Sequence, residues 1–305
     1  MTEAAAVPAV DLPGDVQMPM LGFGTWLLRG KPGREALRAA LGAGYRHIDT
    51  ATMYGNEADV GHVLAGSGLA RDQVFITTKL PSGKAGRERA TLAASLRALG
   101  TDHVDLWLVH WPPPGRTLIQ VWCEFLALRD EGRARAIGVS NYSLAQIDRL
   151  IKATGQAPAV NQIPWSPGRY DAALLAGHRE RGVAVEGYSP LKRTNLASPV
   201  LTEIAAAHDV TAAQVVLRWN LELGVTVLVK SAQPERIAAN IDVPRFSLTP
   251  DEVASYPEQI QRLLGWSAGA THMGWVEVDG QMIDPIHLLS GFGDAPVKGV
   301  GARRH

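Results

Sequence analysis

Between residues 21 and 231 the chain repeats one pattern. A short run of β-branched and other apolar residues is followed by a longer segment in which apolar residues return every three or four positions. The short runs span 21–26, 46–50, 74–80, 104–111, 134–140, 159–165, 183–189 and 225–231. Their length and composition predict strands. In the intervals, Leu92, Leu96 and Leu99 form one stripe, Leu118, Val121, Trp122 and Phe125 a second, and Leu144, Ile147, Leu150 and Ile151 a third. Such stripes predict amphipathic helices that cover the outside of a sheet.

Eight strand–helix units without a Pro- and Gly-rich linker favour a closed (β/α)8 TIM barrel over an open doubly wound sheet. A dinucleotide-binding Rossmann sheet needs G-x-G-x-x-G after its first strand, and here Gly22 and Gly24 are followed by Thr25, Trp26 and Leu27. Ahead of the barrel, 7–10 and 16–18 flank Leu-Pro-Gly-Asp, which predicts a hairpin able to plug the barrel floor. We therefore expect a single domain over 1–305, with the barrel at about 20–262 and a tail at about 266–305 laid over the barrel mouth.

Composition narrows the partners. Thirty Lys+Arg balance thirty Asp+Glu, so the summed field recommends neither a nucleic acid nor an anionic membrane, and a small molecule fits better. The first fifteen residues lack a basic segment followed by an apolar one, and no run approaches the ~20 apolar residues that span a bilayer. A lone Cys123 leaves no internal disulfide and, beside Trp122 and Phe125, is expected to fill the core. These features point to a cytoplasmic protein, a monomer or weak homo-oligomer. The sequence has no HExxH, cysteine-rich metal spacing, G-x-S-x-G elbow or Walker loop. No metal is expected.

Polar residues at the strand ends carry the candidate chemistry. Asp49 ends the second strand, Lys79 the third and His110 the fourth, and Tyr54 lies in the loop after the second. Each alone has an ordinary structural explanation, but the four together make an acid–base device where barrels place their sites. A reaction that builds negative charge on a bound oxygen needs a proton donor, and Tyr54 is the candidate general acid. A phenol titrates near ~10, and an ammonium favours its ionised form. At ~4 Å and an effective dielectric of ~20 that attraction is ~4 kcal/mol, or about three pKa units. Lys79 is thus expected to draw Tyr54 towards physiological pH. Asp49 would keep Lys79 charged, and His110 would donate to the same bound oxygen. Glu57, beside this loop, reads as structural, with a salt bridge expected.

Lys230 and Ser231 leave the last strand, Pro234 opens a helix, and Arg236 and Asn240 lie a turn apart on the same expected face, so Lys230 and Arg236 could clamp an anion. Trp26, Met53, Trp111 and Trp165 supply apolar surface for a substrate pocket.

The four residues and their contexts resemble the aldo-keto reductase superfamily, including its bacterial-type aldehyde and ketone reductases. GFGTW at Gly22, DTATMYGNE at Asp49, IGVSN at Ile137, VNQ at Val160, GYSPL at Gly187 and LVKSAQPERIAAN at Leu228 extend the resemblance over roughly 22–240. It implies an Asp49–Tyr54–Lys79–His110 tetrad, a small-molecule carbonyl substrate and NADP(H) as cofactor. It also implies that Lys230, Ser231 and Arg236 hold the 2'-phosphate and that Asn240 faces the adenine. Ser140, Asn141 and Gln162 would hold the nicotinamide carboxamide, Tyr188 would stack on the ring, and Ser189 and Leu191 would lie near the pyrophosphate. Gly24, Thr25 and Trp26 complete the cofactor set, and Asn161 would support it from behind. Ser166 stands where close relatives carry His, and Val229 where many carry Pro. The alternatives are an NADPH-binding regulatory or structural protein with little turnover, and a dedicated biosynthetic reductase of one ketone or imine.

Overall fold

The computed structural model describes residues 6–115, 117–192, 194–254, 276–278 and 281–283. Contacts divide the chain into two units, Met1–Trp266 and Ser267–His305. In the second, β11 (Val276–Val278) and β12 (Gln281–Ile283) pair antiparallel. The sequence reading missed this pair, although Val-Glu-Val and Gln-Met-Ile flank Asp-Gly, a favoured hairpin turn. The rest of the expected tail lies outside the described residues.

The first unit opens with β1 (Ala9–Leu12) and β2 (Val16–Pro19), antiparallel with Leu12 opposite Val16. The hairpin is where it was expected, but Leu12 belongs to the first strand and the turn is made by Pro13, Gly14 and Asp15. Gly14 and Asp15 both adopt positive φ. Eight parallel strands follow and close into a barrel. They are β3 (Leu21–Gly24), β4 (His47–Asp49), β5 (Phe75–Leu80), β6 (Val104–Val109), β7 (Ala134–Ser140), β8 (Val160–Pro164), β9 (Ala184–Tyr188) and β10 (Thr226–Val229). Every predicted run contains its strand, and β10 pairs with β3 to close the ring.

The helices are α1 (Gly30–Ala43), α2 (Glu57–Ala65), α3 (Glu88–Leu99), α4 (Thr117–Asp130), α5 (Leu144–Thr154), α6 (Ala172–Glu180), α7 (Pro199–Ala207), α8 (Ala212–Glu222) and α9 (Pro234–Ile241). Local signals set their ends. Ser143 Oγ accepts from Gln146 N at the start of α5, Thr211 Oγ1 accepts from Gln214 N at the start of α8, and left-handed Gly155 stops α5. Leu118, Val121, Trp122 and Phe125 of α4 are buried against the barrel, and Phe125 stacks on Trp107 of β6 with ring centroids 3.7 Å apart. Cys123, a step of ~100° round the helix from Trp122, is exposed. The expectation that it fills the core is therefore corrected.

A period of two governs the strands. Phe75, Leu106, Leu108, Ala136 and Val160 face inward, and Leu12, Val16 and Met18 of the hairpin join their apolar cluster. The hairpin thus plugs the floor. A Cβ on Gly22 would lie 2.5 Å from Leu228 Cδ2 and 2.9 Å from His47 Nδ1, so only glycine fits at that point of the interior. No single helix among the described residues is long and apolar enough to cross a membrane.

Candidate active site

The same period of two that turns Leu106 and Leu108 inward also turns His110 inward, and it aligns Asp49, Lys79, Ser140, Gln162 and Tyr188 on the interior face. These positions lie at or near the carboxyl ends of their strands, so the polar groups gather at that mouth. Tyr54 comes from a single helical turn, Thr52–Tyr54, ended by Gly55 at φ 64°. Four bonds tie down the approach to this turn. Thr52 Oγ1 donates to Lys79 O at 3.0 Å, Thr50 Oγ1 donates to Asn56 Oδ1 at 2.8 Å, and Asn56 Nδ2 donates to Thr25 O and Leu28 O, both at 2.8 Å. Arg29 Nε adds a bond to Tyr54 O at 2.7 Å.

Lys79 is fully buried, and its ammonium hydrogens are all directed. Nζ lies 2.6 Å from each Asp49 oxygen, 2.9 Å from Thr50 O and 3.4 Å from Tyr54 OH. It also lies 5.0 Å from the Tyr54 ring centroid. His110 meets the Tyr54 ring edge-on, with centroids 5.7 Å apart at 75°. The structure therefore brings the four predicted residues together.

The electrostatics correct one expectation. Burial favours the neutral phenol and dominates at Tyr54; Lys79 opposes it, while Asp49 adds to it, and the net direction is upward from 10.0. Lys79 sits closer to Asp49 than to the phenol, so much of its field is cancelled before it reaches Tyr54 OH. Tyr54 is a protonated phenol at neutral pH rather than one drawn towards it. For Lys79, burial alone would favour loss of the proton, but the charge and hydrogen bonds of Asp49 oppose it and the net direction is upward, so the ammonium stays charged.

The predicted cofactor residues form two groups. Ser140 Oγ donates to Gln162 O at 2.9 Å, Asn141 Nδ2 donates to Ser140 Oγ at 2.9 Å and His110 O at 3.1 Å, and Tyr188 OH donates to Asn141 Oδ1 at 2.9 Å. These bonds link β7, β8 and β9 into one wall beside the tetrad. Asn141 and Ser189 both have left-handed backbones, φ 64° and 57°. Non-glycine residues seldom adopt this conformation, and it is concentrated at ligand sites. Gly24 is half-buried, Thr25 Oγ1 donates to Asp49 O at 2.9 Å, and Leu191 is half-buried.

The second group leaves β10. Lys230 is exposed, with Nζ 5.7 Å from the Trp26 ring centroid, and Arg236 is exposed on the first turns of α9 beside acidic Glu235. Ser231 Oγ accepts from Gln233 N at 3.0 Å. Asn240 is buried with Ile237 on the inner face of α9, so it does not share the exposed side of Arg236.

Of the four pocket walls, Trp26 and Met53 are exposed at 38% and 52%, and Trp111 is half-buried. Trp165 is not a wall. It is 1% exposed, faces outward with Ile163, packs edge-on against Tyr170 and belongs to the cluster of Leu201, Val215 and Trp219. A Cβ on Gly187 would meet Trp165 Cβ at 2.8 Å, which shows how closely the indole side lies on β9. Asn161 also faces outward; Nδ2 donates to Tyr142 O at 2.8 Å and lies 2.9 Å from His178 Nε2. Glu57 is buried and accepts from Thr78 Oγ1 at 2.6 Å. Hydroxyl contacts, rather than the expected salt bridge, fix it.

Two polar residues beneath the tetrad escaped the sequence reading. Glu186 and His47 are fully buried, with Glu186 Oε1 3.5 Å from His47 Nε2. A glutamate inside the apolar run Val-Ala-Val-Glu-Gly-Tyr was the available signal.

Known proteins share this fold. The model of the aldo/keto reductase family matches residues 20–260. An aldo-keto reductase from Mycolicibacterium vanbaalenii is 45% identical over 259 residues, covering 84% of this chain and 93% of that protein. Among solved structures, an aldo/keto reductase from Brucella melitensis superposes with a TM-score of 0.80 at 41% identity, covering 83% of this chain and 99% of that one. An aldo-keto reductase from Bombyx mori, solved in complex with NADP, gives a TM-score of 0.78 at 32% identity, covering 84% and 93%. The chain is a (β/α)8-barrel oxidoreductase and belongs to the aldo/keto reductase family. That family acts on small-molecule carbonyl compounds.

Proposed function

We propose that this protein reduces an aldehyde or ketone to the alcohol with NADPH, Tyr54 being the general acid. The observation that carries the reading is the buried Lys79 ammonium, which bridges Asp49 at 2.6 Å and Tyr54 OH at 3.4 Å. Bound NADPH supplies the hydride to the carbonyl carbon.

Tyr54 gives its phenolic proton to the carbonyl oxygen, which the hydride has made anionic. The resulting tyrosinate faces Lys79, whose charge costs no reorganisation because Asp49 and Thr50 O already hold it in place. His110, edge-on to Tyr54, orients the carbonyl oxygen. A raised phenol value keeps the acid form filled at neutral pH, which favours reduction over oxidation.

The residues present fit the cofactor. Gln162 spends both amide hydrogens on the carboxyl groups of Asp49 and Glu186, so its Oε1 is left as an acceptor suited to a carboxamide N–H. Lys230, Ser231 and Arg236 place two cations and a hydroxyl at the start of a helix, chemistry suited to a 2'-phosphate. The relative from Bombyx mori, solved with NADP, supports the same choice.

The test is NADPH oxidation over aldehydes, ketones and dicarbonyls, with Tyr54→Phe alongside. We expect Tyr54→Phe to bind NADPH and to lose ~10²–10⁴-fold in turnover. Full turnover in Tyr54→Phe would remove Tyr54 as the acid, and tight NADPH binding without turnover on any carbonyl would favour a regulatory role.

A further inference from the structure

A second polar layer lies beneath the tetrad and has no part in the chemistry above. It contains His47 of β4, Thr77 of β5, Glu186 of β9 and Thr226 of β10, all buried at 0–1%. Glu186 sits opposite Gln162 and Thr226 across its two strand neighbours. Gln162 Nε2 donates to Glu186 Oε2 at 2.7 Å and to Asp49 Oδ2 at 2.9 Å. One amide therefore joins the deeper carboxyl to the carboxylate that holds Lys79.

The His47 contacts count the protons. Nδ1 lies 3.0 Å from Pro19 O, a pure acceptor, so Nδ1 carries hydrogen. In a neutral ring Nε2 is then an acceptor, 3.1 Å from Thr77 Oγ1 and 3.5 Å from Glu186 Oε1. Two lone pairs would face each other if Glu186 were ionised. Thr77 Oγ1 can donate to Nε2, whereas Glu186 Oε1 is buried without a hydrogen-bond partner, so an ionised Glu186 would leave a charged oxygen undonated against the ring, and a proton on that oxygen removes the conflict. Removal from water penalises the charged pair, because enclosed ions lose more in hydration than imperfect geometry returns.

We propose that Glu186 is a positioning residue, a neutral carboxylic acid sharing its proton with His47, which clamps the Gln162 amide so that Gln162 Oε1 faces the carboxamide of the nicotinamide. The clamp rests on the NADPH reading above, whereas the shared proton does not. The charged and titratable groups around Glu186 are Asp49 and His47 on β4, Lys79 on β5, and Tyr54 on the turn after β4. Asp105 on β6 acts on His47 from farther off, and Gln162 on β8 and Thr226 on β10 are neutral. Burial, followed by the Asp49 charge, pushes the Glu186 carboxyl up to about 8, and burial pushes His47 down. Both directions put the proton on Glu186.

The sign of the linkage gives the test. Folded Glu186 keeps its proton from the ordinary carboxyl value of 4.5 up to about 8, whereas the unfolded chain releases it. Wild-type stability therefore falls as pH rises through that window. Glu186→Gln donates to His47 Nε2 and accepts from Gln162 without titrating. We expect the melting temperature of Glu186→Gln, relative to wild type, to climb from about pH 4.5 to about pH 8 and then level off. A difference that stays flat, or runs the other way, would show an ordinary carboxylate and overturn the proposal.

The clamp is read with NADPH and with its analogue carrying an acetyl group in place of the carboxamide. Wild type and Glu186→Gln should both prefer NADPH by about tenfold, worth ~1.4 kcal/mol, while Glu186→Leu should bind the two alike. Equal discrimination in Glu186→Leu would overturn the clamp. So would loss of discrimination in Glu186→Gln. A wild-type protein that binds no NADPH would sink the functional reading and the clamp together, and the thermal comparison, which needs no cofactor, would separate that failure from loss of the shared proton.

Discussion

Two carboxylates on the barrel strands, Asp49 and Asp105, are buried to 3% and 2%, yet they are used differently. Asp105 faces outward and accepts from Arg71 Nη2 at 2.7 Å, Arg135 Nη1 at 3.0 Å and Ile76 N at 2.8 Å. Its cations are partly in water, with the Arg71 and Arg135 side chains 27% and 43% exposed. Asp49 faces inward, and its cation, Lys79, is sealed. Water can replace a partner at Asp105. At Asp49 it cannot, so the ammonium stays oriented on the phenol. The inner pair differs in one further way: its cation lies within 3.4 Å of a phenol, the group proposed above as the acid.

Breaking each pair in turn sharpens this contrast most. Asp49→Asn leaves an enclosed ammonium without its anion and should cost ~3–5 kcal/mol of stability together with most turnover. Asp105→Asn leaves guanidinium groups that can rehydrate and should cost ~1–2 kcal/mol while turnover stays within about twofold. Urea unfolding and kcat on the same samples decide it; equal losses of turnover would erase the distinction.

The titration of Tyr54 is the next lever. Because its value is raised, reductive kcat should be flat from about pH 6 to about pH 9 and fall only above the ordinary phenol value of ~10. Alcohol oxidation, which needs the tyrosinate, should climb about tenfold per pH unit over the same range. A reductive profile that collapses near neutrality would mean that the Lys79 field, and not burial, dominates at the phenol.

The smallest expected effect is at the rim. Arg236→Ala removes one exposed charge-assisted contact and should raise KM for NADPH about tenfold, ~1.4 kcal/mol, with little change for NADH. Equal effects on both cofactors would detach Arg236 from the 2'-phosphate.

Much of the site was legible before the fold. Asp49, Lys79 and His110 stand out because polar residues that close apolar strand runs have few structural uses. The NADP role proposed for Lys230, Ser231 and Arg236 rests on motif resemblance, since exposed cations on a loop are otherwise common. Trp165 shows that an aromatic near a strand end reaches the mouth only if its parity points it inward. It lies one step out of phase with Gln162 and Pro164, and so it points to the helices. The same holds for Cys123 on a helix. Glu186 is not legible in the sequence, because a single charge inside an apolar run does not say which other strands surround it.

The sequence determined the eight strand–helix units, the floor hairpin and the identity of the four residues at the mouth, because period, turn chemistry and strand-end position are local properties. Only the tertiary structure decided which face of each strand looks inward and which cation shares a cavity with which anion. It also decided that Tyr54 is held as an acid. Desolvation acts on a group through everything packed around it, and here that surrounding is assembled from strands more than a hundred residues apart, as the bond between Gln162 and Asp49 shows.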